Sequence, residues 1–321
     1  MSEKRVSVYG DLNLDVIYFL DTSELVLRDV SYVAKKGVYS PGGVAGNLAV
    51  ALRRLGARSS VVAKVGADPV GAVLVRDLEA NEVGTRYVTY TGEEPTGIMS
   101  IIVKPGGERV IIGYRGANRL NVLSPNLVSE VLSSVDAVFA YGFSVDNIDR
   151  GESLKLLFSR ASRESVVTGL DLSGLTRSHA DLVLSLKKKV TYAFINSDEL
   201  EGLVGSASLP AAESLYKSLE PEVLFVKMGS RGALAISHGA VYRAKALSIK
   251  PVDTTGSGDA FNAGVLYSML EGLDLERALL LGNAMGAYKA LGIGARHLPR
   301  SLKELEEFIE LVGKARARDL L

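Results

Sequence analysis

Residues 253–264 read Asp-Thr-Thr-Gly-Ser-Gly-Asp-Ala-Phe-Asn-Ala-Gly, a glycine-rich turn running into an apolar stretch with an acid close behind the turn. Glycines at 256 and 258 admit backbone angles closed to other residues. Successive N–H groups can therefore converge on an anion at the positive end of a helix continuing through Phe261, Val265, Leu266 and Met269. Asp259 stands beside that anion. A carboxylate repels phosphate, so it adds nothing to plain phosphate binding, but it suits a reaction in which a hydroxyl attacking phosphorus must lose its proton. The structural alternative is an ordinary first-turn acid stabilised by the helix dipole.

Two further constellations lie near the N-terminus. Gly10-Asp11-Leu12-Asn13-Leu14-Asp15 follows the strand-like Val6-Ser7-Val8-Tyr9. Ligands of open α/β sheets bind beyond the carboxyl ends of strands, which places Asn13 and Asp15 to hydrogen-bond the hydroxyls of a polyol; the alternative is turn chemistry. Pro41-Gly42-Gly43-Val44-Ala45-Gly46-Asn47 is another glycine turn opening a helix. It lacks the Gly-x-Gly-x-x-Gly spacing of a dinucleotide fingerprint, and no glycine loop in the chain ends in the Gly-Lys-Ser/Thr of a Walker A site.

The elements that must position these residues read as a doubly wound α/β sheet. Strand candidates at 5–9, 59–65, 135–140, 165–170, 190–195 and 222–227 alternate with helix candidates that include 44–55, 69–81, 151–163, 257–271 and 275–291. The alternation breaks at about 15–40 and 85–115, where segments such as 97–104 and 108–113 are joined by a Pro-Gly-Gly turn and look antiparallel. Both insertions leave the main sheet and return to it. They are expected to form one small β-sheet, a lid, on a single domain spanning 1–321.

Composition narrows the partners. The chain has 321 residues, 47% of them hydrophobic, and Lys plus Arg equals Asp plus Glu at 37 each. No basic excess points to nucleic acid, so the expected partner is a small molecule. Cysteine is absent, which excludes disulfides, thiolate catalysis and cysteine metal sites and fits a reducing cytoplasm. The three histidines, His179, His238 and His297, lack metal-ligand spacing. No apolar run is long enough to cross a membrane, and the start of the chain has no signal-peptide pattern. The absence of glutamine, tryptophan and cysteine would suit a thermophile.

The two glycine motifs together resemble the signatures of the ribokinase-like (PfkB) carbohydrate and nucleoside kinases. Residues 42–56, Gly-Gly-Val-Ala-Gly-Asn-Leu-Ala-Val-Ala-Leu-Arg-Arg-Leu-Gly, are similar to the N-terminal signature and residues 253–264 to the C-terminal one, and the resemblance spans nearly the whole chain. It implies a β-sheet lid over an α/β domain, with ATP and Mg2+ as phosphoryl donor. It implies that Asp259 is the base and that the amides of Gly256, Ser257 and Gly258 form the anion hole. Asn13, Asp15, Gly42, Gly43 and Asn47 would contact the acceptor. Family lid strands commonly pair between subunits, which implies a homodimer.

Other residues follow from the same resemblance. Asn196-Ser-Asp-Glu199 matches an Asn-x-x-Glu motif linked to magnesium and its water network, with Glu199 the expected ligand through water; the same residues also make a capping-box-like helix start. Lys227-Met228-Gly229-Ser230-Arg231-Gly232 resembles the nucleotide loop, although Lys227 departs from the small polar residue of many members. It either helps neutralise ATP phosphates or snorkels to solvent. Asn283 falls where the family closes over adenine, beside the 292–295 loop. Some members bind a monovalent cation between that loop and the 253–255 turn, implying K+ near Asp253 and Thr255.

Acceptor identity is the least marked feature. Ribokinases tend to place a Glu after the 135–140 type of strand, whereas this chain has Ala140-Tyr-Gly-Phe-Ser144, which counts against ribose. The 44–47 segment, Val-Ala-Gly-Asn, resembles archaeal nucleoside and mixed-specificity sugar kinases more than classical ribokinases. Tyr114-Arg115 offers an Arg that could grip an acidic sugar bidentately, the alternative being a solvated arginine at the lid edge. The expected activity is phosphoryl transfer to a hydroxyl of a sugar or sugar-like substrate, with a nucleoside kinase of the same fold as the alternative. A non-catalytic sugar-binding regulator is more remote, since it has no use for Asp259 in an intact anion hole, and a nicotinamide-dependent oxidoreductase would need the missing fingerprint.

Overall fold

The computed structural model describes residues 3–22, 24–26, 28–105 and 109–318. Its strands are β1 (Arg5–Tyr9), β2 (Asn13–Phe19), β3 (Lys36–Gly42), β4 (Arg58–Gly66), β5 (Gly84–Thr91), β6 (Gly97–Val103), β7 (Arg109–Tyr114), β8 (Ala137–Tyr141), β9 (Val167–Asp171), β10 (Tyr192–Asn196), β11 (Val223–Lys227), β12 (Ala233–Ser237) and β13 (Ala240–Ala244). The helices are α1 (Val44–Leu55), α2 (Pro69–Ala80), α3 (Pro125–Leu132), α4 (Glu152–Arg163), α5 (Ala180–Ser185), α6 (Ser197–Val204), α7 (Leu209–Leu219), α8 (Ser257–Leu270), α9 (Leu275–Ala290) and α10 (Leu302–Arg318). Local chemistry sets the starts of several. Asp68, Ser124, Ser208 and Asp274 each accept a backbone N–H of the first turn, and proline follows within two residues in α2, α3 and α7.

The main sheet has nine strands in the order β13-β12-β11-β10-β9-β8-β1-β4-β5. From β5 through β11 every pairing is parallel, and β12 and β13 close one edge antiparallel. Strands covered on both faces read as continuous apolar runs, and β8, Ala-Val-Phe-Ala-Tyr, is buried throughout. One face packs against α1, α8 and α9 through Leu48, Leu52, Phe261, Leu266 and Met285. The other packs against α3, α4, α6 and α7 through Val128, Leu154, Phe158, Leu200 and Leu215. This is the expected doubly wound, mainly parallel architecture.

A second sheet of four strands, in the order β3-β2-β6-β7, stands beside it. Its outer pairings are antiparallel, whereas β2 and β6 run parallel, because the chain passes through the main sheet between them. The expected range of 85–115 for this sheet needs correction: residues 84–91 form β5 and pair with β4 in the main sheet, so the second piece begins at Gly97. Of the turn expected between β6 and β7, Gly106 and Gly107 lie outside the described residues, as does Glu108. Among the described residues no helix is long and apolar enough to cross a membrane.

The direction of winding reverses at β1, whose neighbours β4 and β8 belong to successive halves of the chain. Crevices beyond the carboxyl ends of strands at such a switch point are where open α/β sheets take ligands. The last residues of β8, β9, β10 and β11 are Tyr141, Asp171, Asn196 and Lys227, a polar row at the end of an apolar sheet.

Candidate active site

Asp259 sits in the first turn of α8, buried, between the two sheets' contributions. Its carboxylate accepts Asn47 Nδ2 from α1 (2.9 Å) and the Tyr141 hydroxyl from β8 (3.0 Å). Burial pushes its pKa up to about 6; the Asn47 and Tyr141 hydrogen bonds and Lys227 oppose that rise, while Asp171 adds to it. The N–H groups of Gly256, Gly258 and Asp259 donate to no acceptor among the described residues, and the Ser257 hydroxyl is buried without a partner. The first amides of a helix have no intrahelical carbonyl to meet, so they are free for an anion. Of the three amides expected in the anion hole, that of Ser257 is turned to the Thr254 carbonyl (3.1 Å), leaving Gly256, Gly258 and Asp259 itself.

On the N-terminal side, Asn13 and Asp15 project from β2 and are both buried. Asn118 Nδ2 donates to Asn13 Oδ1 (2.8 Å) and to the Leu12 carbonyl, fixing which way the Asn13 amide points. Asp15 accepts no hydrogen bond among the described residues; burial raises its pKa to about 7, with Arg296 opposing and Asp259 reinforcing. Its carboxylate lies on Gly42, where a Cβ would fall 2.4 Å from Oδ2. Gly43 caps α1 at φ +86°, where a Cβ would collide with the Asp11 carbonyl, so both glycines are required for the strands and helix to meet around Asp15. Arg296 enters this pocket from the C-terminal side, where it lies within 3.4 Å of Asn47 Oδ1 and pairs with Asp77. No local motif in the sequence marks Arg296.

On the other side of Asp259 opens a cavity of about 900 Å³, lined by Lys227, the 229–232 loop, the 245–251 segment, Ser257, Gly258 and one face of α9. Its size suits a nucleotide. Gly229, Ser230, Gly232 and Asn283 all line it; Asn283 donates to the carbonyls of Ala244 and Lys245 (3.3 Å each), and Gly286, Ala287 and Ala290 leave the helix face flat beside it. Lys227 does not snorkel to solvent. Its ammonium pairs with Asp171 (2.6 Å) and donates to Asn262 (3.3 Å), while Asn262 donates to Asp171 (2.6 Å). The same ammonium faces Gly258, where a Cβ would sit 3.5 Å away. Asp171 and Asn262 were missed in the sequence; the available signal was an acid in Asp-Leu-Ser-Gly at a strand's carboxyl end.

Asn196 and Glu199 form a reciprocal capping box at the start of α6 (2.8 and 2.9 Å). Burial raises Glu199 to about 7, helped by Asp171 and opposed by Lys227. Among the described residues no three acidic or histidine side chains form a metal cluster. A divalent ion here would draw most of its ligands from phosphate and water, the habit of Mg2+, and the Glu199 carboxylate fits that role.

The 253–255 turn is held from three sides. Asp253 accepts the N–H groups of Thr255 (2.9 Å) and Gly294 (2.8 Å). Arg109, at the start of β7, reaches Asp253, Thr254 and Thr255 from the small sheet. Lys289 of α9 donates to the Asp253 carbonyl (2.5 Å). Neither Arg109 nor Lys289 was singled out in the sequence. Arg115, expected either at an acidic acceptor or in solvent, is not a solvated lid-edge arginine: Nε and Nη2 grip Asp11 (2.9 and 2.8 Å), Nη2 also reaches Asn147 (3.0 Å), and Nη1 is buried with no partner among the described residues. It therefore braces the junction of β1 and the small sheet.

Comparison with known proteins gives this arrangement a context. The profile described as pfkB family carbohydrate kinase matches residues 3–301. An uncharacterized sugar kinase of Archaeoglobus fulgidus is 32% identical over 253 residues, which cover 78% of this chain and 99% of that protein. The ribokinase of Bacillus subtilis is 26% identical over 317 residues, 95% and 99% of the two chains. The solved structure of Arabidopsis thaliana ribokinase complexed with ribose and ATP has the same fold, with a TM-score of 0.83 at 23% identity over 96% of this chain and 99% of that one.

Proposed function

The chain belongs to the pfkB family of carbohydrate kinases and is a phosphotransferase of the sugar and nucleoside kinase type; from that premise we propose that it transfers the γ-phosphoryl group of ATP to a primary hydroxyl of a sugar or sugar-like acceptor, with Asp259 as general base. One observation carries this reading: the buried Asp259 carboxylate lies between amides with no acceptor and a buried Asp15 with no donor among the described residues. Unmet hydrogen-bonding groups in a water-poor site call for a ligand on each side.

Asp15 and the Asn13 amide would accept and donate to acceptor hydroxyls and so aim one of them at phosphorus. That hydroxyl gives its proton to Asp259 as its oxygen bonds to the γ-phosphorus, and the bond to the β,γ-bridging oxygen breaks to release ADP. The amides of Gly256, Gly258 and Asp259 meet the charge on the phosphoryl oxygens, and Lys227 adds a positive charge beside them. Mg2+, held through water by Glu199, would neutralise the β- and γ-phosphate oxygens when bound. The base of the nucleotide would lie against the flat face of α9 near Asn283, and the small sheet would act as a lid that excludes water. We further propose that the exposed edge of that lid pairs two chains into a dimer.

Asp259→Asn tests the assignment. The variant is expected to bind ATP and acceptor in calorimetry while kcat drops by roughly three to four orders of magnitude; near-normal turnover would remove Asp259 as the base. ATP consumption across pentoses, hexoses, keto-deoxy acids, phosphosugars and nucleosides identifies the acceptor, and a nucleoside ranking first in kcat/KM would replace the sugar reading.

A further inference from the structure

Lys289 lies in the last turn of α9 with no exposed surface, and its ammonium donates to two backbone carbonyls, those of Asp253 (2.5 Å) and Gly292 (3.2 Å). A buried ammonium that is not in contact with a carboxylate calls for an explanation. Helix-capping lysines bond the last carbonyls of their own helix. Here the last carbonyl of α9, that of Ala290, is already taken by the N–H groups of Val252 (2.7 Å) and Asp253 (3.2 Å), and Lys289 reaches out to two other segments. Both side-chain oxygens of Asp253 accept backbone N–H groups, from Thr255 and Gly294, so the carboxylate braces the same two segments and stands close by as negative charge. Two carbonyl oxygens, a nearby carboxylate and the negative end of a helix form a cage that suits a dehydrated monovalent cation.

We infer that Lys289 is that cation: a tethered ammonium that occupies the place expected for K+, ties the 253–255 turn to the 292–295 loop, and so positions the amides of Gly256, Gly258 and Asp259. The K+ site implied by the sequence, with Asp253 and Thr255 as its residues, does not fit this chain, because Lys289 takes the Asp253 carbonyl and Arg109 takes the Thr255 hydroxyl. A compact ammonium with three donors replaces a coordinated ion at no dependence on its concentration. Burial pulls the Lys289 pKa down to about 8, with Asp253 opposing and the Arg109 guanidinium adding to the fall, which still leaves it mostly charged at neutral pH. Lys289 is a positioning residue; it does not line the nucleotide-sized cavity.

The inference rests on the phosphotransferase reading of this site, so its test has a readout independent of turnover. The wild-type chain, with K+ exchanged for tetramethylammonium, is expected to keep its unfolding midpoint, kcat and KM. Lys289→Ser should open the cage: its midpoint falls, kcat falls by roughly a hundredfold as the amides shift, acceptor KM changes little, and K+ but not tetramethylammonium restores midpoint and kcat. Lys289→Met, which fills the space without charge, should lose kcat with no rescue. A wild-type midpoint or kcat that rises with K+ overturns the inference even if Lys289→Ser does not fold, as does a folded Lys289→Ser indifferent to K+. If no acceptor is phosphorylated, the function fails while the midpoints still judge Lys289.

Discussion

Burial raises the Asp259 pKa to about 6, and the proposed base is needed ionised, so activity should be lost on the acid side. We expect kcat/KM to fall about tenfold per pH unit below an apparent pKa near 6. Asp15 and Glu199 also titrate near neutrality, so the limb needs a variant that reaches Asp259 without touching either. Tyr141→Phe does so. The lost hydroxyl stabilises the ionised carboxylate, which means the folded pKa rises further and the acid limb moves to higher pH, with kcat/KM at pH 6 falling severalfold and that at pH 8 nearly retained. A limb that stays put or moves to lower pH would show that another group titrates. At this scale the sequence displayed what is contiguous: Gly256, Gly258, Asp259 and Asn47 could be found because turn glycines and helix starts leave local signatures. Lys227, Asp171 and Asn262 form one cluster from three separate segments, and no spacing rule connects residues brought together only by the sheet. Lys289 looked like any lysine in a helical pattern; only its burial distinguishes it.

Between elements, the small sheet meets the main body at both halves of the site. Gly42 and Asn13, paired in register between β3 and β2, stand at the proposed acceptor side, and Arg109 at the start of β7 closes over the 253–255 turn. Arg109 thus links the proposed lid to the loop that leads into the proposed anion hole. Its side chain is about a third exposed, so the ion pair with Asp253 adds little to stability, and its value lies in geometry. Arg109→Ala is expected to unfold at the wild-type midpoint yet raise acceptor KM and increase ATP hydrolysis without acceptor, since a lid that rests less often on the turn admits water. An unchanged ratio of hydrolysis to transfer would mean that Arg109 does not govern closure. Helices α1, α8 and α9 could be read from their apolar content and the glycine or aspartate before them. The role of 84–91 could not, because a short, partly exposed strand reads the same on the edge of a large sheet as in a small one. Nor could the parallel pairing of β2 with β6, which depends on the path of the chain between them.

For the molecule as a whole, the small sheet has a surface that a lone chain would tolerate poorly. Every residue of β7 is exposed, among them Ile111 (56%), Ile112 (59%) and Tyr114 (50%), and Tyr39 on β3 at the opposite edge is 73% exposed. An apolar edge strand presents unpaired backbone groups as well as side chains, and proteins ordinarily cover or charge such edges. β7 begins with Arg109, but that charge is turned inward to the 253–255 turn and leaves the apolar positions bare. Pairing with a second copy would bury them and would also stiffen a lid joined to the main body by four chain crossings. We therefore expect the chain, 34.2 kDa alone, to sediment at twice that mass at micromolar concentration. The double substitution Ile111→Glu with Ile112→Glu should return it to a single chain while circular dichroism stays unchanged. Acceptor KM should rise in the same variant, because the lid loses its partner. A wild-type chain that sediments alone would remove the dimer and require some other cover for this edge; a dimer that survives both glutamates would move the contact elsewhere on the surface.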